Sequence, residues 1–172
     1  MPTEHSADRE PHWDDPKDVQ RVWTLMEQIG VCMLASRDGA KIRARPMGAT
    51  PRHQANAIYF LTSAEGHKDQ EIAADDQVCL SFAKPSSGKY LVVTGRARVL
   101  NDRALIRELW DTAAQAWWEG ADDPRVRVIE VTPEDAQFWE GPHGLTATIG
   151  MVIAAATAAP PLLGDQRKVD LN

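Results

Sequence analysis

Lys41, Arg43 and Arg45 stand at alternate positions in AKIRARPMGA, residues 40–49, with Ile42 and Ala44 between them and Pro46 ending the row. An extended strand sends alternate side chains to one face, so the three cations project together. Guanidinium groups grouped in this way suit a bound anion, because their hydrogen bonds to phosphate or carboxylate are charge-assisted. The plainer reading is the solvent face of an antiparallel strand. A fourth cation, Lys68 in SAEGHKDQE, opens a short helical segment, where unpaired backbone N–H groups already favour negative charge. Either an anion binds beside it, or Asp69, Glu71 and Asp75 balance it.

The rest of the composition makes any such site local. The chain has 172 residues, 43% hydrophobic and 26% charged, and a formal net charge of -6. That size fits one globular domain, and an acidic chain lacks the basic footprint of a nucleic-acid or anionic-membrane binder. Neither partner is expected. KPSSGKY imitates the end of a phosphate-binding loop, but Ala83 replaces its first glycine and Tyr90 its magnesium-binding hydroxyl. Dinucleotide, hydrolase-elbow and zinc signatures are missing. Cys32 and Cys79 lack metal or redox spacing and read as reduced, buried small residues of a cytoplasmic protein. Residues 1–14 read as a flexible polar lead-in without a signal-peptide core, and residues 15–172 as the single domain. The apolar run at 146–161 is too short to span a bilayer and reads as a buried or interface helix.

Elements that could position the cations follow from periodicity. Asp15-Pro16 opens a helix with Val19, Val22, Trp23, Met26 and Ile29 on one face, closed at Gly30. Two strands then meet at Asp38-Gly39, a hairpin signal. Further strands are expected at 56–63, 77–85, 89–100 and 125–133, with short helical character at 67–74 and a long helix at 102–118 capped by Asn101 or Asp102. Trp110 and Trp117, seven residues apart, read as core residues of that helix and Trp118 as exposed. Six strands joined mostly by short turns predict a mainly β fold with peripheral helices, a small antiparallel barrel.

The ordered series RPM, FLTS, GHK, VTGRA and DRALIRELW resembles the pyridoxamine 5'-phosphate oxidase-like superfamily of FMN-binding split barrels, within it the general stress protein 26 group. The resemblance covers nearly all of the chain after the polar lead-in. It implies a six-stranded antiparallel split β-barrel, a homodimer, and FMN in a groove between the two subunits. It places Arg43 and Arg45 along the ribityl phosphate and ring edge, Pro46 and Met47 at the strand end under the ring, and Lys68 at the phosphate. Thr62 and Ser63 would meet the polar edge of the flavin, Ser81 its pyrimidine side, and Trp139 in QFWEG would reach the flavin from the partner chain. The implied function is a flavin-dependent oxidoreductase acting on a small-molecule redox partner. The alternative is a flavin-binding stress protein without turnover. Oxidation of the B6 vitamer itself is not expected, since Gly141 stands where an Arg-x-His motif ending at His143 needs arginine.

Overall fold

The computed structural model describes residues 15–65, 68–141 and 165–171. Helix α1 (Pro16–Ile29) begins where Asp15 accepts a hydrogen bond from the Lys17 N–H at 2.8 Å, and ends at Gly30, whose φ of 73° lets its N–H reach the Met26 carbonyl. Its apolar stripe of Val22, Trp23, Leu25 and Met26 is fully buried. At its N-terminal half, Arg21 forms an ion pair with Glu140, its Nε donating at 2.6 Å.

The strands are β1 (Val31–Asp38), β2 (Lys41–Gly48), β3 (Thr50–Arg52), β4 (Ala57–Ser63), β5 (Gln77–Lys84), β6 (Lys89–Leu100), β7 (Val126–Glu140) and β8 (Asp165–Asp170). Every pairing is antiparallel, in the order β2-β1-β5-β6-β7-β4-β3, with β8 added to β7. The two ends of that order, β2 and β3, are joined through Ala49 alone, whose N–H bonds the Gly30 carbonyl at 2.8 Å. The sheet therefore curls round on itself. Met47 of β2, Ile58 and Phe60 of β4, Leu80 and Phe82 of β5, and Val169 of β8 accordingly share one core with α1.

The fold is mainly β with peripheral helices, as the sequence predicts, but with eight strands among the described residues instead of six. The two extra strands are β3, three residues long in a segment read as turn, and β8, in a segment read as a polar tail. The last predicted strand also runs on to Glu140. Between Thr94 and Gly95 the β6–β7 register shifts: Gly95 faces Pro133 while Thr94 faces Asp135, leaving Glu134 as an extra residue on β7. Ile129 and Val131 face the core before this bulge and Ala136 and Phe138 after it, so the inward parity of β7 reverses. One strand thereby serves two partners on one edge, β4 with its first half and β8 with its second.

Helix α2 (Lys68–Ala74) sends Ile72 into the main core. Helix α3 (Arg103–Leu109) is capped by Asp102, which accepts from the Ala104 and Leu105 N–H groups at 3.0 Å, and covers a second small core with Ile106, Leu109, Val126 and Val128. The expected long helix stops at Leu109. Trp110 is extended (φ -67°, ψ 123°), and Asp111 turns its carboxylate onto the Ala114 N–H at 2.8 Å, a local bond that competes with continuing the helix. The tryptophan roles change with it. Trp118 packs on Trp110 with ring centroids 6.3 Å apart, and Trp117 is 79% exposed. Cys32 is buried and Cys79 half-buried, both as free thiols, and burial pushes the Cys32 thiol up to about 12. The apolar run at 146–161 and the polar lead-in at 1–14 lie outside the described residues. Among the described residues no helix is long and apolar enough to cross a membrane.

Gly95→Ala would place a Cβ 2.3 Å from the Thr132 carbonyl oxygen. Thermal denaturation should show a loss of about 1–3 kcal/mol, the usual cost of overpacking a tight site. The Arg21–Glu140 pair carries a pH signature. Hydrogen bonding from Arg21 holds the Glu140 carboxyl below its ordinary value of 4.5, so its stabilisation is complete above that pH and is lost as pH falls through the lowered folded value. The stability gap between the wild type and Glu140→Gln, measured by chemical denaturation, should be widest above about pH 5 and narrow as the pH falls below the ordinary carboxylate range.

Candidate functional site

The cationic row is set by a tight hairpin. Asp38 faces Lys41 across a two-residue turn in which Gly39 alone has positive φ, at 60°, the pattern of a type II′ turn. The register then pairs Ser36 with Arg43, Leu34 with Arg45 and Cys32 with Met47. Directly opposed residues share a face, and Leu34, Cys32 and Met47 are all buried. Lys41, Arg43 and Arg45 therefore stand on the core-facing side of the hairpin, out towards its tip, and not on the side turned away from the core.

There the two arginines have different surroundings. The Arg43 Nε donates to Asp38 at 2.6 Å in a pair open to solvent, with side chains 54% and 44% exposed. Arg45 is drawn inward. Its Nη1 donates to Ser36 Oγ at 2.5 Å, Ser36 Oγ donates to Glu71 at 2.6 Å, and Arg45 Nη2 bonds the same carboxylate oxygen. The Glu71 side chain is 5% exposed. Burial alone would push its carboxyl up, but hydrogen bonds from Ser36 and Arg45 outweigh that and hold it below its ordinary value. Glu71 is thus an anion at neutral pH, supplied by α2, which packs against β1 and β6.

Lys68 is the first residue of α2, five residues after Ser63 ends β4. Of the three acidic neighbours expected to balance Lys68, Glu71 pairs with Arg45 and Asp75 lies 3.8 Å from Arg37. Thr62 points inward from β4, 2% exposed, and its hydroxyl has no hydrogen-bond partner among the described residues. The Ser63 Oγ accepts from the Glu65 N–H at 3.2 Å.

The remaining residues singled out in the sequence divide between the faces of the sheet. Met47 is inward and buried, whereas its neighbour Pro46 is outward and exposed. Ser81 faces Met33 and Val92 on the outer side, exposed beside Cys79. Trp139 is outward too, half-buried and paired with Tyr90, while Phe138 fills the core behind it. A single chain brings Arg43 and Arg45 together on one face and puts Pro46, Ser81 and Trp139 on the other. From β2 to β7 is four strand steps, about 19 Å along the sheet at the usual spacing. The outer face is apolar where a solvated strand would be polar: Val31, Met33, Ile42 and Tyr90 are 55%, 42%, 76% and 42% exposed.

The arginines' partners escape the sequence reading in that role: Ser36 is not singled out there, and Asp38 and Glu71 enter only as a turn residue and as a counter-ion of Lys68. The only available signal is the alternation of Ser36 and Asp38 opposite the cations once the hairpin register is known. The open grooves beside α3 and at 119–125 contain none of the nine residues singled out.

Comparison with known proteins bears on this geometry. The sequence pattern of the family described as "Pyridoxamine 5'-phosphate oxidase like" matches residues 17–161. General stress protein 26 of Bacillus subtilis is 31% identical over 122 residues, which is 69% of this chain and 86% of that protein. A Jannaschia sp. CCS1 structure described as a general stress protein 26 superposes with a TM-score of 0.71 at 24% identity, covering 91% of this chain and 99% of that one, a likeness of fold. The general stress FMN/FAD binding protein of Xanthomonas citri superposes at 0.66 with 26% identity, covering 75% and 93%. With the pattern spanning most of the molecule and a split barrel of matching fold beneath it, the chain belongs to the pyridoxamine 5'-phosphate oxidase-like family.

Proposed function

We propose that this protein binds FMN at the interface of a homodimer and acts as a flavin-dependent oxidoreductase on a small-molecule redox partner in the cytoplasm. The observation that carries the reading is the inward cationic row of β2, with Arg45 fixed by Ser36 and Glu71; on β4, Thr62 keeps a buried hydroxyl without a partner among the described residues. Buried polar groups are seldom left without a partner, and a polar ligand edge would supply one. The relative named for FMN/FAD binding supports a flavin, and the cations Arg43, Arg45 and Lys68 support its phosphate-bearing form. The residues present therefore fit the group.

In this reading Arg43, Arg45 and Lys68 hold the polar and charged parts of FMN, and Thr62 and Ser63 meet its polar edge. Pro46 and Met47 border the ring, Met47 from within the core. The bound flavin supplies the electron chemistry. The chain supplies orientation and a surface closed to water. A second copy of the chain is favoured by the exposed apolar row Val31, Met33, Ile42 and Tyr90, since such patches mark association surfaces. That same face carries Ser81 and Trp139, so pairing through it would deliver Trp139 of one chain towards the flavin of the other.

Two expectations follow. Apo protein titrated with FMN should saturate near one equivalent per chain and prefer FMN to riboflavin, and Lys68→Ala should weaken FMN alone by about 1.5–3 kcal/mol, the worth of a hydrogen bond to a charged group. Equal affinity for both flavins would sink the phosphate-site reading, and failure of NADH or NADPH to bleach the bound flavin would favour a carrier without turnover. Trp139→Ala should raise the fluorescence of bound flavin by removing indole quenching and weaken binding, while the apo melting temperature changes little because Phe138 is the core residue. A large apo destabilisation with unaltered flavin emission would take Trp139 out of the site.

A further inference from the structure

Gly39 is the one glycine of the chain that follows an aspartate or an asparagine. An aspartyl-glycyl step is chemically fragile, because glycine has no Cβ to shield its backbone nitrogen from the preceding side chain and lets the backbone adopt angles closed to other residues. Here the step lies in the open, at the tip of the β1–β2 hairpin. Residues 38–41 are all exposed, and a Cβ built at Gly39 would meet nothing within 4 Å. The turn is held by its closing pair, Asp38 opposite Lys41, and by the Arg43 Nε–H, which donates to the Asp38 carboxylate at 2.6 Å. Glu71 of α2 also feels the Asp38 charge.

We propose that Asp38 is a site of spontaneous covalent modification, isomerisation to isoaspartate through a cyclic imide with Gly39, and that the Arg43 guanidinium restrains it. In the first step the Gly39 nitrogen attacks Asp38 Cγ. The new N–Cγ bond forms as the carboxyl hydroxyl and the amide hydrogen leave together as water. Water then adds to the α-carbonyl of the imide and breaks the original Asp38–Gly39 peptide bond, so that the chain runs through Cγ and the α-carboxylate becomes the side group. Solvent is the only co-reactant. Arg43 opposes the first step in two ways. It favours the ionised carboxylate, which has no hydroxyl to lose, and it ties that group to β2 while β1 keeps Asp38 extended, away from the folded-back backbone that ring closure requires. Reaction therefore proceeds from molecules whose hairpin tip has opened, and a solvent-exposed ion pair opposes that opening only weakly. The product carries one extra backbone carbon at position 38, which disrupts the pairing with Lys41 and displaces the carboxylate from Arg43.

The test is the rate at which isoaspartate appears at position 38 when full-length protein is held warm at neutral pH. It is read by loss of cleavage before Asp38 by an aspartate-specific endoprotease and by diagnostic fragment ions in electron-transfer mass spectrometry. Wild-type protein should accumulate it measurably, and Arg43→Gln about two- to fivefold faster, the factor that an exposed ion pair is worth. Arg43→Lys keeps the cation and should stay within about twofold of wild type. Asp38→Glu should abolish the signal, because glutamate would have to close a six-membered imide, a much slower reaction. Melting of each variant, recorded beside the rates, should stay near wild type, since the pair is exposed. Should Arg43→Gln melt far lower, wild-type protein at raised ionic strength supplies the same comparison: salt screens an exposed pair, so the rate should rise. Absence of isoaspartate at position 38 from both wild type and Arg43→Gln would overturn the site. Equal rates in those two proteins, a rate in Arg43→Lys as high as in Arg43→Gln, or a wild-type rate indifferent to salt would overturn the restraint by Arg43.

Discussion

The close approach of β6 and β7 at Gly95 is the constraint on which the rest of the architecture depends. A side chain there would collide with the Thr132 carbonyl, so the crossing of the two strands exists only because position 95 has none. The bulge it permits gives β7 an extra residue, Glu134, and reverses which side chains face inward. Without that reversal β7 could not send Ile129 and Val131 into the core beside β4 and then Ala136 and Phe138 into the core beside β8. A single uninterrupted pleat would expose one of those pairs. Arg96 and Gln77 both reach the Glu134 carboxylate, so the extra residue is also held from β6 and β5.

The barrel's second organising feature is electrostatic. An inward row of cations and an outward row of apolar side chains is the reverse of what a solvated strand presents. The inward charges are tolerable because the hairpin and α2 supply a carboxylate for each arginine, Asp38 in the open and Glu71 in the interior. The outward apolar side chains have no such compensation among the described residues. One strand, β2, thus carries both features: its inner side is finished by α2 and its outer side is left unfinished.

Much of this was legible from residues alone, and the exceptions have physical reasons. Asp15, Asp102 and the Asp38-Gly39 pair mark local events whose chemistry is complete within a few residues, and each appears where it is expected. The alternation of Lys41, Arg43 and Arg45 fixes that they share a face. It does not say which face, because Ile42 and Ala44 on the other side are as compatible with exposure as with burial; only the pairing with Leu34 and Cys32 decides. The strand β8 has a single interior apolar residue, Val169, and is made by pairing with β7 and not by its own pattern. The strand containing Trp139 reads in the sequence as ending at Pro133 because the bulge at Glu134 breaks its alternation. Glu71 is the instructive case in the site: three residues after Lys68 it looks like that lysine's counter-ion, and only the folded hairpin shows it serving Arg45.

Closure of the sheet through Ala49 bears on the order in which the molecule can assemble. The β1–β2 hairpin is local and belongs to the events that take microseconds. The strand that follows it after one residue pairs with β4, which in turn needs β7: Ile58 faces Val131, more than seventy positions along the chain. Non-local pairings of this kind are slow because loop-closure entropy is lost before the contacts form. A chain caught before these pairings form leaves the edges of β3 and β4 unpaired, one residue along the chain from β2 and the exposed apolar row of β1 and β2. Unpaired edges recruit other chains. Ring closure, and not hairpin formation, is therefore the stage at which association between unfinished molecules competes with folding.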